Sequence, residues 1–159
     1  MNQKKPAYVI NLEKVYGPPS QEAFGPAVFF EISKNLDLEK AALEKYRYFA
    51  GEFWEEWGEE AWMGPWKQVY TREKGQKGDI LQELENIDDF DAKMSVPLLL
   101  EGIEDSEQAH LALQEAFDDP GVTELAVFNV GDGGAVSGIL IAAFRENSNQ
   151  ATWLIFMMD

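Results

Sequence analysis

The stretch from Val122 to Asp159 constrains the fold most. It reads V-T-E-L-A-V-F-N-V, G-D-G-G, A-V-S-G-I-L-I-A-A-F-R, E-N-S-N-Q and A-T-W-L-I-F-M-M-D. Three strand-length runs rich in β-branched and aromatic residues are separated by clusters of turn formers, which predicts a three-stranded antiparallel meander. The final run is apolar almost to its end, so the last strand is expected to belong to the core. Alternation in I-L-I-A-A-F is poor, as in a central strand covered on both faces. Gly131, Gly133 and Gly134 suit the positive φ of a hairpin turn. G-D-G-G lacks the Lys-Ser/Thr of a phosphate loop and the alternating carboxylates of a calcium loop. Gly138, inside the next strand, predicts a bulge or the close approach of a side chain such as an indole.

Upstream, Ala7 to Leu12 is a short strand candidate ended by Gly17-Pro18-Pro19, and Ser20 could cap a brief helical turn through Phe24. After Gly25-Pro26, A-V-F-F-E-I-S reads as another strand. The strongest helical pattern runs from Asn35 to Gly58. Asp37 is placed as N-cap, and Leu38, Ala42, Tyr46, Phe49, Phe53 and Trp57 recur at spacings of three and four. Gly51 interrupts that pattern and predicts either a close neighbour or a bend. Ile80, Leu81, Leu84 and Ile87 suit a short amphipathic helix ended by D-D-F-D. Asp105 or Ser106 caps a helix running to Phe117. Between these two helices, S-V-P-L-L-L-E-G is ambiguous. Pro97 fits the first turn of a helix or the start of an edge strand, and the apolar cluster around it favours a strand near 96–101. That strand, the 106–118 helix and the 123–130 strand would form a βαβ unit with one parallel pair. The expected architecture is one α+β domain over residues 1–159: a mixed, mainly antiparallel sheet ending in the C-terminal meander, with two main helices packed on one face.

Charge narrows the partners. Thirteen basic against 29 acidic side chains give a formal charge of −16 over 159 residues, a field that repels nucleic acid and anionic membrane surfaces. It is unevenly distributed. Lys67, Arg72, Lys74 and Lys77 face only Glu73, and glycines at 75 and 78 suggest a loop. From Asp79 to Asp119 there are thirteen carboxylates against Lys93 alone. The basic stretch could pair with the acidic half of the same molecule or of a second copy, which makes a homodimer a candidate assembly. There is no cysteine, hence no disulfide framework and no thiolate site. The N-terminus has no signal-peptide pattern and no run approaches membrane length, so a cytoplasmic location is expected.

Two features stand as candidate sites. Trp54, Trp57, Trp62 and Trp66 could close one end of the core, or present a partner-binding surface or pocket rim. Asp88, Asp89 and Asp91 could form an acidic face for a basic partner; as the weaker reading, these three or Asp118 and Asp119 could supply carboxylates to a hard cation. His110, the single histidine, lies on the polar border of a helix beside Ser106 and Gln114; a general base needs a nucleophile and an orienting carboxylate, and Ser106 is better explained as a cap. No catalytic residue set, cofactor motif or metal site is identifiable. The sequence therefore leans towards a non-enzymatic protein-interaction or regulatory module. The alternative is a small-molecule binding protein or enzyme with an aromatic pocket between the long helix and the sheet.

Overall fold

The meander forms the middle of a five-stranded sheet with helices on both sides. The computed structural model describes residues 4–158; Met1, Asn2, Gln3 and Asp159 lie outside them, and with them the extreme N-terminus and the last residue of the expected third strand. In chain order the elements are α1 (Ala7–Tyr16), β1 (Gly25–Ile32), α2 (Leu38–Ala50), α3 (Glu52–Trp57), α4 (Glu59–Met63), β2 (Lys67–Arg72), α5 (Ile80–Glu85), α6 (Phe90–Glu101), α7 (Ser106–Phe117), β3 (Glu124–Gly131), β4 (Ser137–Arg145) and β5 (Gln150–Met158). Strands are ordered β1-β5-β4-β3-β2 and every pairing is antiparallel.

The C-terminal strands are near-continuous apolar runs because both of their faces are covered. On β4, Ile139, Ile141 and Ala143 enter one core, while Leu140 and Ala142 enter the other. The first core is closed by α1, α5, α6 and α7, the second by α2, α3 and α4. The protein is thus a three-layer sandwich, and the expectation of helices on a single face is corrected. The lack of alternation is what burial on both faces requires.

Aspartates start four of the helices. Asp37, Asp79, Asp89 and Asp105 accept N–H bonds from Lys40, Gln82, Ala92 and Gln108 at 3.0–3.3 Å, satisfying amides that have no partner within the helix. Asp89 therefore begins a helix where D-D-F-D was expected only to end one. Residues 94–101 are helical and not a strand, with Gly102 as the C-cap, so the predicted βαβ unit and its parallel pair do not form. Ala92, Val96, Leu99 and Leu100 are buried at helical spacing, and their burial outweighs Pro97 in the interior, where a proline normally costs about 3 kcal/mol.

Four other expectations change. Residues 7–12 belong to a helix, because Tyr8, Val9, Leu12 and Tyr16 form one buried stripe that extends past the window that read as a strand. Residues 20–24 contain no helical turn. The single helix expected over 35–58 divides at Gly51, where the bend and the close neighbour that the sequence allowed both occur: its φ of 59° is left-handed and breaks the ladder, and a Cβ there would lie 3.1 Å from the Gln21 carbonyl oxygen. Lys67 to Arg72 is an edge strand paired with β3, not a loop.

The G-D-G-G turn is held from within. Asp132 Oδ1 accepts the Gly134 and Val136 N–H groups at 2.8 and 3.1 Å, an Asx-type arrangement that accounts for the aspartate. Gly138 has a different neighbour from the one expected. A Cβ there would collide with the Phe156 carbonyl and the Met157 backbone on β5, so the residue permits close strand approach and does not receive an indole.

Candidate interaction face

The four tryptophans converge, chiefly by filling space. Trp54 and Trp62 are buried. The Trp62 ring stacks on Trp57 with centroids 5.1 Å apart and on Trp54 at 6.3 Å. Trp66, partly buried, stacks on Phe128 at 4.7 Å and on Tyr46 at 5.4 Å. Trp62 Nε1 donates to the Phe53 carbonyl at 2.8 Å. The Tyr46 hydroxyl lies 2.5 Å from the Trp62 carbonyl and 2.7 Å from that of Gly131, and accepts the Gly131 N–H at 3.0 Å. Burial raises the pKa of this hydroxyl far above the ordinary phenol range, so it remains a hydrogen-bond donor tying α2 and α4 to the β3–β4 hairpin. Of the four, Trp57 is the exposed residue, at 38 %.

The three aspartates separate. Asp88 is fully exposed and lies 3.8 Å from Lys93, and Asp91 is exposed in the first turn of α6. Asp89 turns inward. Besides capping α6 it accepts from Asn129 Nδ2 at 2.6 Å and Lys67 Nζ at 2.9 Å, which fastens the helix to β3 and β2. Burial alone would raise its pKa, but these bonds and the Ala92 amide prevail and hold it down at about 2. Because the folded value is depressed, its stabilisation is present in full above about pH 4 and is lost as pH falls towards 2. Asp89→Ala is expected to cost about 1–3 kcal/mol in chemical denaturation, whereas Asp88→Ala leaves the midpoint in place.

The basic stretch is used inside the molecule. Lys67 pairs with Asp89, Lys74 with Glu146 at 2.9 Å, and Arg72 with Glu83 and Asp118 at 2.5 and 3.2 Å. Of the two pairings the sequence allowed, the intramolecular one is therefore formed. His110 is part-exposed, with Nε2 3.3 Å from Glu101 Oε1 at the C-terminal end of α6.

The feature not assembled from the sequence is the outer face of α6. Phe90, Met94 and Leu98, spaced by four, are 77, 61 and 40 % exposed, and Pro97 beside them is exposed. The opposite face holds Ala92, Val96 and Leu99 in the core. The helix is apolar on both sides, a pattern otherwise found where both sides are covered. Leu111, 55 % exposed on α7, and Ile10, 43 % exposed on α1, point outward from the same layer. Asp91 and Glu101 flank the α6 row, with Lys93 as the single basic residue of the helix. The available signal was the Phe90-Met94-Leu98 spacing following an aspartate cap, which the strand reading of 96–101 divided.

A further concavity of about 650 Å³ lies at one end of the sheet and includes Lys34, Asn35, Lys74, Glu124, Glu146 and Asn149 in its lining. Its charges are mixed and the Lys74–Glu146 pair occupies one side. Among the described residues, no helix is long and apolar enough to cross a membrane, and no group of three or more His, Asp or Glu side chains converges as a metal-binding set. No protein-family model matches the chain, and neither a curated protein nor a solved structure shows significant similarity to it.

Proposed function

We propose that this protein is a non-enzymatic protein-interaction module whose acidic helical layer receives a basic partner. The supporting observation is the uncovered row Phe90, Met94 and Leu98 on a helix whose other side is already core. Single exposed apolar residues are ordinary, but an apolar row framed by charge characterises an interaction surface. The excess of carboxylates in residues 79–119 favours a cationic partner and rapid, salt-sensitive association. The reading with an aromatic pocket has less support, since Trp54 and Trp62 stack against neighbouring rings in the space that a ligand would need.

The test is affinity capture with the immobilised full chain, followed by identification of what binds. Basic proteins are expected at low ionic strength, released by added salt and absent with the Asp88→Lys/Asp91→Lys double variant. Asp89 is left intact because changing it would unfasten α6. Retention of the same proteins by the double variant at high salt would contradict the proposal.

A further inference from the structure

We propose that the segment docking on this face is a basic amphipathic helix of a partner protein, laid along α6 with its apolar stripe on Phe90, Met94 and Leu98. The inference rests on the reading of the acidic layer as partner-binding and specifies what that layer recognises. Phe90 and Leu98 are eight residue steps apart, so the apolar row rises about 12 Å along the helix, slanting across its surface as i, i+4 rows do. A partner presenting apolar residues at i, i+4 and i+8 matches that spacing along its own axis.

The composition of the face selects among occupants. α6 and α7 form this part of the layer, and as helices they offer no strand edge for an extended peptide. A second copy docked through the same surface would bring Asp91 and Glu101 towards the same acidic patch of the other molecule, because a two-fold contact pairs a patch with itself. An anionic lipid surface meets the same repulsion. Lysine or arginine residues bordering the partner's apolar stripe would instead meet Asp91 and Glu101, with Leu111 on α7 widening the apolar contact.

The experiment titrates the full chain into fluorescein-labelled synthetic peptides and reads anisotropy. One peptide, about 18 residues or five turns long, places leucine and lysine in amphipathic helical register. The second has the same composition scrambled, and the third keeps the register with glutamate replacing lysine. The patterned cationic peptide is expected to bind at least about tenfold more tightly than either control, to gain helical circular dichroism when bound, and to lose at least about tenfold in affinity against Met94→Glu. Met94 is exposed enough for the variant to fold, which its thermal midpoint verifies, and Leu98→Ser provides a second substitution in the row.

Equal binding of the scrambled peptide, or unchanged affinity of both variants, would overturn helix recognition while leaving the acidic-module reading in place. Failure of every cationic peptide together with failure to capture any basic protein would remove that reading as well. A wild-type dimer in sedimentation that Met94→Glu converts to monomer would put a second copy on the face and overturn the proposal.

Discussion

Arg72→Ala is expected to destabilise the protein by about 3–5 kcal/mol, because it breaks one side of a buried charge network. Arg72, 6 % exposed on the edge strand β2, donates Nε and Nη2 to the two Glu83 oxygens at 3.0 and 2.5 Å. Its other bonds run from Nη1 to the Phe117 carbonyl at 2.6 Å and from Nη2 to Asp118 at 3.2 Å. One side chain thus holds β2, α5 and the end of α7 together. Glu83 also accepts from the Tyr70 hydroxyl and from the Asp79 N–H. Removing the guanidinium leaves that carboxylate buried beside Asp118 without its counterion. Changing Arg72 and Glu83 together to apolar residues of similar volume is expected to cost markedly less than Arg72→Ala, and urea denaturation of the two variants measures the difference.

The network also gives a pH dependence with a defined sign. Burial would raise the Glu83 pKa, but the bonds from Arg72, Tyr70 and the Asp79 amide lower it below the ordinary glutamate value. Its contribution is therefore present above the unfolded pKa and lost as pH falls through the folded one. Asp118 shifts the other way. Burial and the neighbouring carboxylates outweigh the Ile80 amide and Arg72 and raise its pKa, so Asp118 partly offsets Glu83 on acidification. The Tyr70 hydroxyl, pushed up to about 12 by burial and by its bond to Glu83, remains protonated and donating throughout.

Trp62→Ala is expected to cost about 3–5 kcal/mol, the usual range for an aromatic truncated in a packed core. The ring is fully buried, lies against Trp54 and Trp57, and satisfies the Phe53 carbonyl. Its loss removes dispersion contacts, leaves a cavity and frees a carbonyl. Trp57→Ala, at a residue that is 38 % exposed, is expected to cost less than half as much. Thermal denaturation of the two variants tests whether the cluster acts chiefly as scaffold. Equal losses would mean that Trp57 carries packing that its exposure does not indicate.

The parts of the fold legible in the sequence are those where one physical signal dominates. β3, β4 and β5 are long runs of β-forming residues between turn residues, and the residues of α7 bury one stripe behind an aspartate cap. α6 was not legible because its outer apolar row removes the amphipathic contrast by which a helix is recognised. The surface that carries the proposed function is thus the one that concealed the element bearing it. β2 was obscured by Lys67 and Arg72, which read as loop charge until β3 and the acidic helices supply partners across the fold. The tryptophans were visible as a cluster, but the stacking that buries Trp54 and Trp62 depends on the break at Gly51, whose local geometry the sequence leaves open. Asp88, Asp89 and Asp91 look equivalent in sequence, and it is the positions of Asn129 on β3 and Lys67 on β2, with the start of α6, that distinguish the inward aspartate from the exposed two.

The most direct test is a ¹H–¹⁵N chemical-shift map of the full chain titrated with the patterned cationic peptide or with a captured basic partner. Recognition by the acidic layer predicts that perturbations concentrate on the amides of 88–101 and on α7 around Leu111, while the indole signals of Trp54, Trp62 and Trp66 stay in place. Perturbation of those indoles with α6 unmoved would contradict it and transfer the site to the aromatic cluster.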